Sequence, residues 1–376
     1  MRLGVLGAGL VSQAVHLPAA RRLAGDLDLV AVYDLSRRRT DQVARAFGAR
    51  AAESAAEVLQ ADDIDAVLIA TSGGHVELTE AALRADKHVL AEKPLALTVE
   101  DADRLQALAA SRDRVLQVGY MKMYDQAVVS AASRLADIGT LRLIRITVLH
   151  PADAPQVAHV RMPPFADGDA AVADRAHARE IADTRRAIGE VPDGTARLYR
   201  SVLTGSLIHE LSILRALGVD LPTAFSQVDV WPWPSSDEPP SLLATASLDA
   251  GTQLVLSWNW LPDHPEYREE VALFGQSGRL YLDMAPPYLL EERSMLRLER
   301  IGERHTEELV LRGGRDSAFV SQLERFVEAV RDDAPVWSTA AGAAEDLRCL
   351  QALVRTLADR LGHAVGGEAA GEVSRC

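Results

Sequence analysis

Residues 1–12 carry a short apolar run into Gly7-Ala8-Gly9-Leu10-Val11-Ser12, a glycine turn followed by helical periodicity. Such a turn can cradle the phosphates of a nucleotide. The first glycine permits the tight bend, the second lets backbone approach a pyrophosphate, and a small third residue lets the helix pack close, its first amides facing the anion. The same pattern also serves an ordinary strand-to-helix turn. Asp34 ends a second apolar run about 25 residues on, where a carboxylate can accept hydrogen bonds from the ribose hydroxyls of an adenosine and repel a 2′-phosphate. Ser36-Arg37-Arg38-Arg39 follow it. Arginine after the acid is one way to accommodate NADP(H); the alternative is that these arginines form the solvated first turn of a helix. NAD(H) is favoured and NADP(H) stays open. Two more loops close strand patterns: Thr71-Ser72-Gly73-Gly74-His75, and Glu92-Lys93-Pro94 after Ala91. At the same sheet edge as the glycine turn, Lys93 can reach a substrate bound at a nicotinamide, and Pro94 restricts Lys93 to extended or turn conformations.

The elements that must position these residues are legible as an alternation. Strand patterns over 3–6, 29–33, 66–70, 88–91 and 116–119 are separated by helical ones over 13–23, 40–47, 76–85 and 99–110. Short apolar runs between helices predict a parallel sheet covered on both faces, with its ligand at the carboxyl edge. From residue 226 the pattern changes to strands over 228–233, 242–248, 253–261, 269–274, 279–282, 295–301 and 306–311. Turn signals at Asp249-Ala250-Gly251 and Gly275-Gln276-Ser277-Gly278 make this an antiparallel, meander-like sheet. Between the two lies a mixed stretch, 140–218. It holds a charged run over 167–186, which is a solvated helix or loop or else a cover over a pocket, and a helical run over 206–217. Helices are expected over 317–331 and 343–361. The fold class expected is α/β, an N-terminal Rossmann sheet followed by an α+β domain with a large, open, mainly antiparallel sheet. The corresponding domains are 1–120, 121–337, a helical 338–365 at their junction and a flexible tail over 366–376.

Bulk properties bound the function. A chain of 376 residues, 48% hydrophobic, is long enough for two domains with cores. A net charge of −14, with no run of basic residues interleaved with aromatics, argues against nucleic acid. No stretch of about 18 apolar residues and no charged-then-apolar leader is present, so a cytoplasmic protein free of the membrane is expected. Two cysteines, Cys349 and Cys376, give neither a disulfide framework nor a metal site. The histidines at 150, 159, 177, 264, 305 and 363 show no metal-ligand spacing, and no metal is expected. There is no nucleophile elbow for covalent hydrolysis.

The ordered set formed by the glycine turn, Asp34, the 71–75 loop with its histidine, Glu92-Lys93-Pro94, Gly119-Tyr120 and the later antiparallel sheet resembles the Gfo/Idh/MocA oxidoreductases. The resemblance covers most of the chain. It implies NAD(P)-dependent oxidation or reduction of a secondary alcohol of a sugar, nucleoside-like or cyclitol substrate. The cofactor would be held by Gly7, Gly9, Leu10, Val11, Asp34, Arg38, Thr71, Ser72, His75, Glu92 and Lys93. The family's second signature, Asp-x-Gly-x-His-x-x-Asp, falls on residues 205–212 and retains His209, with Gly205 and Ser212 in place of the two acids. Where many members carry Asn and Arg, this chain reads Tyr120-Met121-Lys122-Met123-Tyr124-Asp125. The resemblance also implies a homodimer or homotetramer built through the C-terminal sheet.

Hydride transfer from a carbinol needs a base for the hydroxyl proton and a positive group for the developing alkoxide. His209, an imidazole that ordinarily titrates near neutrality, suits the first task and Lys93 the second. Desolvation would lower the pKa of Lys93 and let it share the proton transfer. Glu92 would orient the lysine, while Tyr120, Lys122, Tyr124 and Glu210 would supply hydrogen bonds to a polyol. The site is expected in the cleft between the domains. Trp231, Trp233, Trp258 and Trp260 form two Trp-x-Trp pairs, for core or subunit packing or as a platform for a sugar ring. Two other functional classes stay open: a redox-neutral lyase or hydrolase that uses NAD transiently, and a catalytically decayed nucleotide sensor.

Overall fold

The computed structural model describes residues 1–231, 238–248 and 251–371. The chain divides into two units. The first comprises residues 1–121, 157–183 and 319–344, and the second 122–156, 184–318 and 345–376.

The first unit is built on six strands: β1 Arg2–Leu6, β2 Asp28–Tyr33, β3 Arg50–Ala51, β4 Ala66–Ile69, β5 His88–Ala91 and β6 Leu116–Val118. All pair in parallel, in the order β3-β2-β1-β4-β5-β6. Leu3, Val5, Val67, Ile69, Val89 and Leu90 are fully buried, which is why these strands read as unbroken apolar runs. The order reverses between β1 and β4, so the crevice for a ligand lies outside their carboxyl ends. The arginines after Asp34 are the first turn of helix Arg37–Phe47, which therefore starts before residue 40. Ser36 caps it by accepting the Arg39 N–H at 3.1 Å, and Gly48 ends it at φ +74°. The expected helix over 13–23 is two pieces, a π-helical turn Ser12–His16 and an α-helix Leu17–Arg22. The two-residue β3 and the helix Ala55–Gln60 carry too little pattern to be legible in advance.

The second unit holds eight strands: β7 Leu141–His150, β8 Gln227–Trp231, β9 Ser241–Ser247, β10 Gln253–Trp260, β11 Arg268–Gly275, β12 Gly278–Met284, β13 Met295–Ile301 and β14 Thr306–Arg312. Their order is β14-β13-β12-β11-β7-β10-β9-β8. The sheet is mainly antiparallel, as expected, but its central strand β7 comes from the stretch read as mixed, and it runs parallel to β10. Ile144, Ile146 and Val148 on β7 are fully buried and alternate with Arg145 and Thr147, a half-buried strand pattern. Trp233, Asp249 and Ala250 lie outside the described residues. The charged run folds as helix Ala170–Ile188. The run expected as one helix over 206–217 is longer and compound: Asp193–Leu198, a π-helical segment Tyr199–Leu207, then Ile208–Ala216. Helices Ala318–Asp332 and Ala340–Leu361 match the last two helical patterns.

Through Gly371, the stretch read as a flexible tail is packed. Gly366 donates its N–H to the Ile188 carbonyl at 3.0 Å, Gln351 donates to Glu368 at 2.7 Å, and Ala369 is fully buried. A Cβ on Gly366 would stand 3.0 Å from the Gly189 Cα and one on Gly367 would run into the Arg186 carbonyl, so the glycines that suggest a loose tail are what permit this contact. Cys376 lies outside the described residues. No helix among the described residues is long and apolar enough to cross a membrane.

Candidate active site

At the carboxyl edge of the parallel sheet the loops are tied to one another. Gly7 sits at φ +95°, and a Cβ there would come 2.5 Å from the Ala70 carbonyl oxygen, so only glycine lets β1 turn against β4. Ser12 does more than stay small: its hydroxyl donates to the Gly7 carbonyl at 2.5 Å and fixes the turn. Gly9 differs. Nothing lies within 4 Å of where its Cβ would be, and the following helical turn has no side-chain cap. The space beside Gly9 is thus left open by the protein, as a cradle for a dinucleotide's phosphates requires. Leu10 and Val11, both half-buried, lead into that turn.

These glycines make separable predictions. Gly7→Ala should destabilise the first unit by at least about 2 kcal/mol, because it adds strain and a backbone clash. Gly9→Ala should leave stability within about 0.5 kcal/mol yet weaken dinucleotide binding about tenfold or more. Thermal denaturation and NADH fluorescence titration of both variants check this.

Asp34 faces the same turn. Its Oδ2 accepts the Ala8 N–H at 2.9 Å, its Oδ1 accepts the Ser36 N–H at 3.0 Å, and Arg39 approaches to 3.3 Å. Arg38 sends its guanidinium over Phe165, with Cζ 5.2 Å from the ring centroid. The loop after β4 is stapled to the loop after β5 by His75, whose two ring nitrogens lie 2.8 Å from the Pro94 carbonyl oxygen and 3.0 Å from that of Thr71. His75 is buried while Thr71 is half-buried and Ser72, Gly73 and Gly74 are exposed, so the side chains of this loop open to a ligand are those of Ser72 and Thr71.

Glu92 is turned inward. One carboxylate oxygen lies 2.6 Å from Nε2 of His16 and the other accepts the Lys93 N–H at 3.1 Å. His16 is fully buried, with Phe319 edge-on at 5.3 Å between ring centroids. Burial favours the neutral acid, but the His16 hydrogen bond and the charges of His16 and Lys93 outweigh it and keep Glu92 below the usual carboxyl range. Gly119 closes the arrangement, since a Cβ there would fall 2.9 Å from the Glu92 Cα. Glu92 thus holds the backbone from which the half-buried Lys93 projects. His16 had no role in the sequence reading; its one signal was a lone histidine in the apolar run just after the glycine turn.

In the second unit, the 199–216 helical run presents His209, half-buried, beside the fully buried Glu210. Lys122 and Glu210, read as separate polyol contacts, are partners. Lys122 Nζ lies 2.8 Å from Glu210 and also pairs with Glu269 from β11, all three being buried. Tyr267 donates to Glu269 at 2.6 Å. Tyr120 and Tyr124 are likewise buried. His150 packs against Trp258, Trp260 and Tyr267 at 5.3–5.6 Å, and Trp258 donates to the Ser206 hydroxyl at 2.9 Å. Trp258 is therefore core packing against the His209 helical run, while Trp231 is exposed.

One ammonium faces two carboxylates in this cluster. Burial works against the charged Lys122, and the two carboxylates outweigh it, so its pKa lies above the ordinary lysine value. Burial, with Glu269 alongside, pushes Glu210 up to about 7 against the pull of Lys122. Between an ordinary carboxyl pKa and about 7, folded Glu210 keeps a proton that the unfolded chain has released. Stability should therefore fall as pH rises through that window. Glu210→Gln should remove this slope, as urea denaturation across pH 5–8 would read.

Comparison with known proteins places the chain in a family. A family described as "Oxidoreductase family, NAD-binding Rossmann fold" matches residues 1–120. Inositol 2-dehydrogenase 3 of Saccharopolyspora erythraea is 41% identical over 127 residues, a match that covers 33% of this chain and 37% of that protein. The dTDP-3,4-didehydro-2,6-dideoxy-alpha-D-glucose 3-reductase of Streptomyces violaceoruber is 30% identical over 336 residues, covering 88% of this chain and 85% of that one. The chain belongs to the Gfo/Idh/MocA oxidoreductases. The relatives just named are a dehydrogenase and a reductase. A solved 3-ketoreductase from Actinomadura kijaniata, in complex with NADP and TDP-benzene, shares the fold with a TM-score of 0.68 at 21% identity, over 94% of this chain and 96% of that one.

Within the Gfo/Idh/MocA signature, Gly205 lies in the π-helical segment, where a Cβ would come 3.2 Å from the Arg200 carbonyl oxygen. Ser212 donates its hydroxyl back to the His209 carbonyl at 2.6 Å. Neither position offers a carboxylate. The buried acid of this helix is Glu210.

Proposed function

We propose that the chain transfers hydride between a nicotinamide dinucleotide and a secondary alcohol or ketone of a sugar or cyclitol. The observation that carries this reading is the juxtaposition, at one sheet edge, of the open cradle beside Gly9 with Lys93 on a backbone fixed by Glu92 and His16. The cofactor, held by the 7–11 turn, Asp34 and the 71–72 loop, supplies the hydride acceptor or donor. Lys93 places a positive charge on the carbinol oxygen and stabilises the developing alkoxide. His209 takes the hydroxyl proton in oxidation and returns it in reduction. Residues 1–120 serve as the dinucleotide-binding domain, and Asp34 supports NAD(H) as the favoured cofactor. A cytoplasmic homodimer or homotetramer built through the eight-stranded sheet belongs to the same reading, supported by exposed Trp231 and Val310.

The test is to identify the dinucleotide that the purified chain binds and to follow absorbance at 340 nm with NAD and NADP against sugars, cyclitols and nucleotide-linked sugars. Stoichiometric reduced cofactor with one class of substrate supports the proposal. Bound cofactor with turnover but no net reduction overturns it for a redox-neutral reaction. Absence of dinucleotide binding overturns it outright.

A further inference from the structure

The first unit contains residues 157–183, a segment from much later in the chain, and its side chains fasten it to the loops after β2 and β4. Asp167 accepts the Ser36 hydroxyl at 2.5 Å through Oδ1 and the Arg38 N–H at 3.0 Å through Oδ2. Phe165 lies under the Arg38 guanidinium, and Arg179 pairs with Glu77 in the first turn of the helix after β4. Asp167 is exposed, and Ser36 already caps its helix through the Arg39 N–H. What Asp167 does is occupy a hydroxyl and an amide just beyond the acid that ends β2. In a dinucleotide fold that acid reads the ribose 2′-hydroxyl, and groups next to it accommodate a 2′-phosphate when there is one. Ser36, the Arg38 amide and the neighbouring guanidinium would suit such a phosphate, yet the chain has filled two of these donors with a carboxylate of its own.

We propose that Asp167 is a specificity-determining residue of the cofactor site, an internal anion standing where a 2′-phosphate would be held, so that the chain selects NAD(H) over NADP(H). The inference rests on the dinucleotide reading above. An incoming 2′-phosphate carries a charge of about −1.5 to −2 and must displace Asp167 from both donors while facing Asp34. The Ser36 hydroxyl and the Arg38 amide hold Asp167 below the usual carboxyl range, so it is ionised at neutral pH. Because it is exposed, its repulsion is screened by salt, and selectivity should narrow as ionic strength rises. Without Asp167, the Ser36 hydroxyl and the Arg38 N–H would be released to a phosphate, with Asp34 the carboxylate still facing it.

Calorimetric titration of the full chain with NADH, NADPH, 5′-AMP and adenosine 2′,5′-bisphosphate tests this directly. The wild type should favour NADH and 5′-AMP. Asp167→Ala should shift both affinity ratios about tenfold or more towards the 2′-phosphorylated ligands, and Asp167→Asn, which keeps one of the two acceptors and loses the charge, should shift them less. Ratios unchanged in both variants, or a wild type that favours NADPH, would overturn the assignment while leaving the dinucleotide reading intact. A wild type that binds none of the four overturns that reading and this inference together.

Discussion

Lys93→Met should lower kcat by about three orders of magnitude while changing dinucleotide affinity by less than about tenfold. Methionine keeps much of the length of the side chain and leaves the backbone N–H in place for Glu92, so the loop should hold its shape. What disappears is the charge that the proposed function directs at the carbinol oxygen. A donor aimed at developing charge is worth about 10²–10³ in rate, and a share in proton transfer adds to it. Because the charge acts on a species that exists only as the hydride moves, the loss should appear in kcat more than in KM. Steady-state kinetics with NADH fluorescence titration separate the two. A variant that retains more than about a tenth of kcat would remove Lys93 from the chemistry.

Lys122→Met should destabilise the second unit by about 3–5 kcal/mol, the cost of leaving buried carboxylates without their cation. Glu210 and Glu269 are fully enclosed, and Tyr267 gives Glu269 a hydrogen bond but no charge. The methionine has nearly the volume of the lysine stem, so a cavity is not the cause. Replacing the whole cluster is a different matter: adding Glu210→Gln and Glu269→Gln to Lys122→Met should recover most of the loss, since no isolated charge remains. Urea denaturation of the single and triple variants reads both effects. A single-variant cost below about 1 kcal/mol would show that Lys122 does not neutralise the pair.

Most of the first unit was legible because its signals are contiguous. Gly7, Gly9 and Ser12 lie within one turn, and Glu92, Lys93 and Pro94 within another, so a local motif and a strand count place them. The partners that hold them were not legible. His16 meets Glu92 across 76 positions, Asp167 meets Ser36 across 131, and Lys122 meets Glu269 across 147. Such pairs are made by the packing of elements, which no window on the sequence contains. Glu269 did leave a trace, since it shares the buried parity of Val271 and Leu273 on β11, and a carboxylate at a core position demands a cation. The central β7 was missed for a related reason. It has no hairpin partner beside it in the chain, and its alternation of Ile144, Ile146 and Val148 sits among helical patterns.

The place of β7 bears on how the chain reaches this structure. The strands β8 to β10 close on one another through short connections, as do β11 to β14, and each set can form from near neighbours. Ile146 of β7, made early, must wait for both Leu256 and Val271. Until then its apolar face and two rows of backbone groups are unprotected, and the entropy of closing two long loops stands against it. Docking of this one strand should set the refolding rate of the second unit, and the interval before it docks is when a newly made chain is most exposed to aggregation.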